Sequence, residues 1–205
     1  MPAPTPSLRG AFVLDQLQPQ LAAALSVRSG GFLPVPGDAA YWIEVEPGMA
    51  ANGLLDAALK AADVRPGVLL TERLYGTLEF HGPDQGQVRE GGRAALKRFG
   101  MSPEASDRPE VLQSEVIRKL DAHHAALLNR ERCGMLALEG DALFTLEVTP
   151  AVWICLAANE AEKHSPVRLV DLESSGAVGR LRLAGDDASI DSAAKAAISA
   201  LQSAS

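Results

Sequence analysis

The sequence predicts an α+β fold in which two tandem domains each lay helices on an antiparallel sheet. Three observations carry this reading. The chain of 205 residues is written twice: at an offset of 103 positions, Gly37-Asp38-Ala39 meets Gly140-Asp141-Ala142, Glu44-Val45 meets Glu147-Val148, Val64-Arg65 meets Val167-Arg168, and Gly76, Leu78 and Gly82 meet Gly179, Leu181 and Gly185, all without a gap. Within a copy, strands and helices mix around a hairpin without the regular alternation of a parallel βαβ sheet. Hydrophobic residues make up 47% of the chain against 22% charged, enough to fill one sizeable core or two small ones.

The domains are expected over residues 10–100 and 113–205, joined by the polar, proline-containing stretch 101–112, with residues 1–9 as a flexible tail. In the first copy, AFVLDQL reads as a strand and PQLAAALSV as a short helix opened by Pro19. GGFLPVPGD is a turn-rich connection. AYWIEVE alternates Tyr41, Ile43 and Val45 against Trp42, Glu44 and Glu46, the period of a strand. After Pro47-Gly48, the next helix sets Leu54, Leu55, Ala58 and Ala62 on one face. GVLLTERLYGTLEF is a hairpin, HGPD a turn with a helix start, and QGQVREGGRAALKRF the last helix, with Gly91-Gly92 expected to soften it. Domains of this size leave sheet edges open over thin cores, so neighbours are expected.

Composition excludes several functions. With 19 Lys and Arg against 26 Asp and Glu and no basic run, a nucleic-acid footprint is missing, and no apolar run approaches a membrane span or an export signal. Cys133 and Cys155, the only cysteines, are too far apart for a CxxC motif and read as reduced core residues of a cytosolic protein. No nucleophile elbow, HExxH, P-loop or dinucleotide fingerprint is present, so no catalytic residue, metal ligand or cofactor site is assigned. His81, His123, His124 and His164 are expected in solvated or supporting roles. Asp38 and Asp141 follow a glycine in both copies and read as turn residues, and Lys60 and Lys163 as cations closing equivalent helices.

The copies differ most at the hairpin. Thr71-Glu72-Arg73-Leu74-Tyr75-Gly76 faces Ser174-Ser175-Gly176-Ala177-Val178-Gly179, so one tip is large and charged and its twin small and neutral. Taken alone, a charged turn is an exposed local salt bridge of little energetic weight.

The stretches GFLPVPGDAAYWIEVEPG, ALKAADVRPGVLLTERLYGTLEFH, QGQVREGGRA, SEVIRKLDAHHAALLNR and LAANEAEK resemble the tandem-domain shell proteins of bacterial microcompartments, specifically the carboxysome members with a large gated pore. The resemblance runs from Asp15 to Leu201. It implies circularly permuted domains, a homotrimer that mimics a hexamer, stacking of two trimers, contact with other shell proteins, and a cytoplasmic place in the shell. It implies Glu72 and Arg73 as the pore gate, with Thr71, Leu74, Ser174, Ser175 and Gly176 lining the pore. Phosphorylated metabolites such as ribulose bisphosphate and phosphoglycerate would pass, without catalysis or cofactor. Two alternatives stay open from the residues themselves: a soluble regulatory module holding an anionic effector at the charged hairpin, and an enzyme working at a subunit interface.

Overall fold

The computed structural model describes residues 5–28 and 30–204. Eight strands form two four-stranded antiparallel sheets, one per repeat, in the orders β1-β2-β4-β3 and β5-β6-β8-β7. In the first repeat these are β1 (Ser7–Leu14), β2 (Ala39–Glu46), β3 (Arg65–Glu72) and β4 (Tyr75–Gly82), with helices α1 (Pro19–Arg28), α2 (Ala50–Ala61) and α3 (Gln85–Lys97). The second repeat follows the same order with β5 (Glu110–Ile117), α4 (Ala122–Glu131), β6 (Ala142–Thr149), α5 (Ile154–His164), β7 (Arg168–Glu173), β8 (Gly179–Gly185) and α6 (Asp187–Ser203). The α+β reading is borne out, and no described helix is long and apolar enough to cross a membrane.

Strand β1 begins nearer the start of the chain than its composition suggests. Ser7 and Leu8 pair with Glu46 and Val45, so β1 takes up part of the segment expected to be a tail, while residues 1–4 lie outside the described residues. Likewise β5 starts at Glu110, inside the expected joining stretch, because Glu110 and Val111 pair with Thr149 and Val148.

Local chemistry sets the helix and turn boundaries. The Asp84 side chain accepts the Gln87 amide at the start of α3, and Asp186 accepts that of Ser189 at the start of α6. Asp38 and Asp141 play the turn role expected of them: each carboxylate accepts the amide three residues back, at 3.1 Å from Val35 and 2.7 Å from Leu138, beside Gly37 and Gly140 at φ 92° and 85°. The Gly91-Gly92 pair corrects an expectation. A Cβ on Gly92 would stand 2.2 Å from the Tyr41 ring and one on Gly91 3.0 Å from Phe80, so the pair lets α3 approach the sheet closely rather than softening the helix.

One of the two principal cores belongs to the first repeat alone: Tyr41, Ile43 and Val45 pack with Leu54 and Ala58 of α2 and with Val88, Ala95 and Leu96 of α3. The other is shared. Ala40 and Trp42, on the opposite face of β2, join Leu21 and Leu25 of α1 and Val152, Ile154, Cys155 and Ala158 of the second repeat. The alternating strand is therefore buried on both faces.

Helix α1 leaves its own sheet and docks on the second repeat. Glu162 of α5 accepts the Gln20 and Leu21 amides at 2.7 and 3.0 Å, satisfying the first turn of α1 from across the junction. Asn159 accepts the Gln18 amide at 3.0 Å, and Gln20 spans Val167 O and the Leu169 amide. These bonds and the shared core fix where the two hairpin ends meet.

Candidate functional site: the paired hairpin ends

The first hairpin is tight. Glu72 pairs with Tyr75, leaving Arg73 and Leu74 to make the turn, and Arg73 sits in the left-handed region at φ 53°, where glycine is the usual occupant. Holding a bulky residue there costs on the order of 1 kcal/mol. Thr71, Glu72, Arg73 and Leu74 are all exposed, and among the described residues no ion pair joins Glu72 to Arg73.

The second hairpin is wider. Strand β7 ends at Glu173 and β8 begins at Gly179, so the segment 174–178 is an open loop, with Gly176 at φ 89°. Ser175 is buried, and its hydroxyl donates to Glu173 Oε1 at 2.7 Å. The structure brings the two ends together: a Cβ on Gly176 would lie 2.9 Å from Glu72 Oε2. Between them is a cleft of about 350 Å³, walled by Leu70 and Glu72 from one hairpin and by Leu172, Glu173, Ser174 and Ser175 from the other. Gly176 thus serves twice, supplying the positive φ and leaving room for the Glu72 carboxylate.

Sequence reasoning missed the brace behind these ends. Arg9 occupies a β-bulge in β1, between the paired residues Leu8 and Gly10, and a bulge re-aims a side chain. Its Nε bonds Glu44 Oε1 at 2.7 Å, and its guanidinium lies 3.9 Å over the Tyr75 ring at the base of the first hairpin. A terminal nitrogen reaches Thr149 Oγ1 at 3.4 Å, and that hydroxyl donates to Ala177 O of the second loop at 3.4 Å. Glu44 Oε2 in turn accepts the Val152 amide at 2.9 Å. Burial holds the Glu44 carboxyl above the usual range, although Arg9 and the Val152 and Ala151 amides pull it back. One signal was available: a glutamate inside an otherwise apolar strand needs a cation.

A second polar pair lies in the shared core. His81 Nδ1 meets Glu79 Oε1 at 2.9 Å with both side chains 1% exposed, so of the solvated or supporting roles expected of it His81 takes a supporting one. Burial pushes the Glu79 carboxyl up, against the opposing pull of His81 and of the Val68 and Gly67 amides. The other histidines are solvated as expected: His123 and His164 are 98% and 53% exposed along their side chains, and His124 is also exposed. Cys133 and Cys155 are buried and form no disulfide, and burial drives the Cys155 thiol far above the usual range. No cluster of three metal-binding side chains occurs among the described residues.

Two like α+β domains, fused so that one hairpin of each converges on a common cleft, define the class of tandem microcompartment shell proteins. This chain belongs to the carboxysome shell protein family of CcmP and CsoS1D. Residues 8–105 match the family model described as the CsoS1D N-terminal domain. The chain is 46% identical over 195 residues to carboxysome shell protein CcmP of Synechococcus elongatus, covering 95% of this chain and 92% of that protein. It is 45% identical over 196 residues to carboxysome shell protein CsoS1D of Hydrogenovibrio crunogenus, covering 95% and 96%.

Among solved structures it is similar to the fused permuted hexameric shell protein MSM0275 from the RMM microcompartment, with TM-score 0.94 and 44% identity over 97% of this chain and 98% of that one. The double ringed trimeric shell protein MSM0271 from the same microcompartment gives TM-score 0.93 and 36% identity over 97% of each chain.

Proposed function

We propose that three copies of this shell protein close into a pseudohexameric ring, a tile of a carboxysome shell, whose six hairpin ends surround a gated central pore. The observation that carries this is the convergence of Glu72 on Gly176 beside Ser175. A ring of alternating charged and neutral ends requires the two ends of each chain to be neighbours, and here they are. The likeness to CcmP and CsoS1D supports the carboxysome, and the double-ringed trimer of MSM0271 supports stacking of two such rings.

The gate follows from charge. Three Arg73 side chains brought onto a threefold axis repel one another, so a closed state needs Glu72 carboxylates between them as charge-assisted acceptors. With these side chains folded back toward the cleft, water solvates both charges and leaves an opening lined by Thr71, Leu74, Ser174, Ser175 and Gly176. Two states a few kcal/mol apart form a switch that a ligand biases by binding one of them better. An opening of this kind suits phosphorylated metabolites, ribulose bisphosphate and phosphoglycerate among them, and Arg73 draws anions toward it. The rival reading, a soluble sensor, predicts discrete oligomers and no two-dimensional sheets.

The test is the double variant Glu72→Ala with Arg73→Ala, which should keep the trimer and leave the pore locked open. A structure of that variant in which the central pore still closes would remove the gate from these residues.

A further inference from the structure

Several residues of the contact that joins the two repeats inside one chain have counterparts, 103 positions away, that are exposed. Val152 is fully buried in the shared core, whereas its counterpart Met49 is 69% exposed. Leu172 is buried and Leu69 is 39% exposed; Ala24 is buried and Leu127 is 62% exposed. Each half of the internal contact therefore has an uncovered twin. One twin is the start of α2 with β3 in the first repeat; the other is the outward face of α4 at Leu127, whose inner face already packs on its own sheet.

The polar centre of the contact is duplicated too. Inside the chain, Glu44 divides its carboxylate between Arg9 at Oε1 and the Val152 amide at Oε2. Its counterpart Glu147 on β6 has the first half of that arrangement: Oε1 accepts from Arg180 Nε of β8 at 2.8 Å. The arginine comes from a different strand, since Leu112 stands in the bulge where Arg9 stands in the first repeat. No hydrogen bond to Glu147 Oε2 occurs among the described residues, and the counterpart of Val152, Met49, opens α2 without a side-chain cap.

We propose that a second copy of this chain completes the pattern: Glu147 Oε2 accepts the Met49 amide of the next copy, as Glu44 accepts that of Val152, while Leu127 seats against β3 at Leu69. The proposal rests on the ring reading above and supplies its subunit contact. The chain carries one domain-to-domain contact within itself and repeats it between copies, with Arg180 in place of Arg9. A carboxylate at a helix start meets both an unpaired amide and the positive end of the helix dipole, so the contact is directional and fixes which end of a neighbour docks.

Sedimentation equilibrium on the full chain over a concentration series tests this. Met49 has φ −64°, which proline adopts, so Met49→Pro removes the amide hydrogen with little backbone change, and Met49→Ala controls for the lost side chain. Glu147→Ala should loosen each subunit contact about tenfold, and Met49→Pro should exceed Met49→Ala by about the same factor. Combining Glu147→Ala with Met49→Pro should add little beyond either alone, the sign of a shared bond. Leu127→Asp, an independent variant on the exposed face of α4, should loosen the same contact. A wild-type trimer in which Glu147→Ala and Met49→Pro are silent or strictly additive would overturn the contact and leave the ring standing. A wild-type chain that stays monomeric throughout would take the ring down with it.

Discussion

Removing the Arg9 side chain is the most informative single perturbation of the fold. The Glu44 side chain is completely buried and Arg9 is 16% exposed, so Arg9→Ala strands a carboxylate away from water. Breaking a buried ion pair costs about 3–5 kcal/mol, and the amides of Val152 and Ala151 that still serve Glu44 place the loss near the lower end, about 3 kcal/mol. Loss of the cation over Tyr75 adds about 0.5–1 kcal/mol, giving a total of about 3–4 kcal/mol.

The pH dependence has a definite sign. Glu44 is held above its ordinary range, and without Arg9 it rises further, so between the unfolded and folded values the folded chain holds the extra proton. Stability of the variant then falls as pH rises through that window, and its deficit against wild type is larger at pH 8 than at pH 5. Urea unfolding followed by the fluorescence of Trp42 and Trp153, at fixed protein concentration and both pH values, measures this directly. Pairing Arg9→Ala with Glu44→Gln should recover much of the loss, since no charge is left buried. A deficit under about 1 kcal/mol at pH 8, or one that does not shrink at pH 5, would refute the reasoning.

Two further outcomes follow from the site. Gly176→Ala should cost about 1–2 kcal/mol through its positive φ and displace the Glu72 carboxylate from the second loop, which a crystal structure of the variant reads directly. Glu79→Gln should flatten part of the pH dependence of stability: because burial raises the Glu79 carboxyl, wild type loses stability as pH rises from the ordinary glutamate range through the raised value, and the amide does not titrate. Urea unfolding at several pH values separates the two slopes; parallel curves would mean that Glu79 does not titrate differently on folding.

What the sequence made legible was what it encodes locally or twice. The repeat gave two like sheets in one element order, and Asp38 and Asp141 announced their turns through the preceding glycine. The identity of the hairpin residues pointed to Glu72 and Arg73, and the structure shows their surroundings: a left-handed Arg73 and a cleft shared with Ser174, Ser175 and Gly176.

What stayed hidden depends on contacts between the repeats. The alternation in β2 looks like a strand with one wet face, and nothing nearby in the sequence reveals that the second repeat covers Trp42 and Glu44. Arg9 was lost because its strand opens in a polar, proline-rich run and its counterpart is Leu112, so the repeat offered no second copy of the signal. The pair of Glu79 and His81 had no second copy either: the counterpart of His81 is Ala184 and that of Glu79 is Arg182. Gly91 and Gly92 looked like helix weakeners because propensity counts backbone entropy and cannot see the Tyr41 and Phe80 rings.

The measurement that bears most directly on the account is a structure of the assembled wild-type protein viewed along its symmetry axis. The account predicts a threefold axis ringed by alternating ends, with Glu72 and Arg73 either meeting across a closed pore or folded back beside Gly176 around an open one. An assembly that holds Glu72 and Arg73 far from any axis would contradict it, leaving a tandem shell fold without a gated passage.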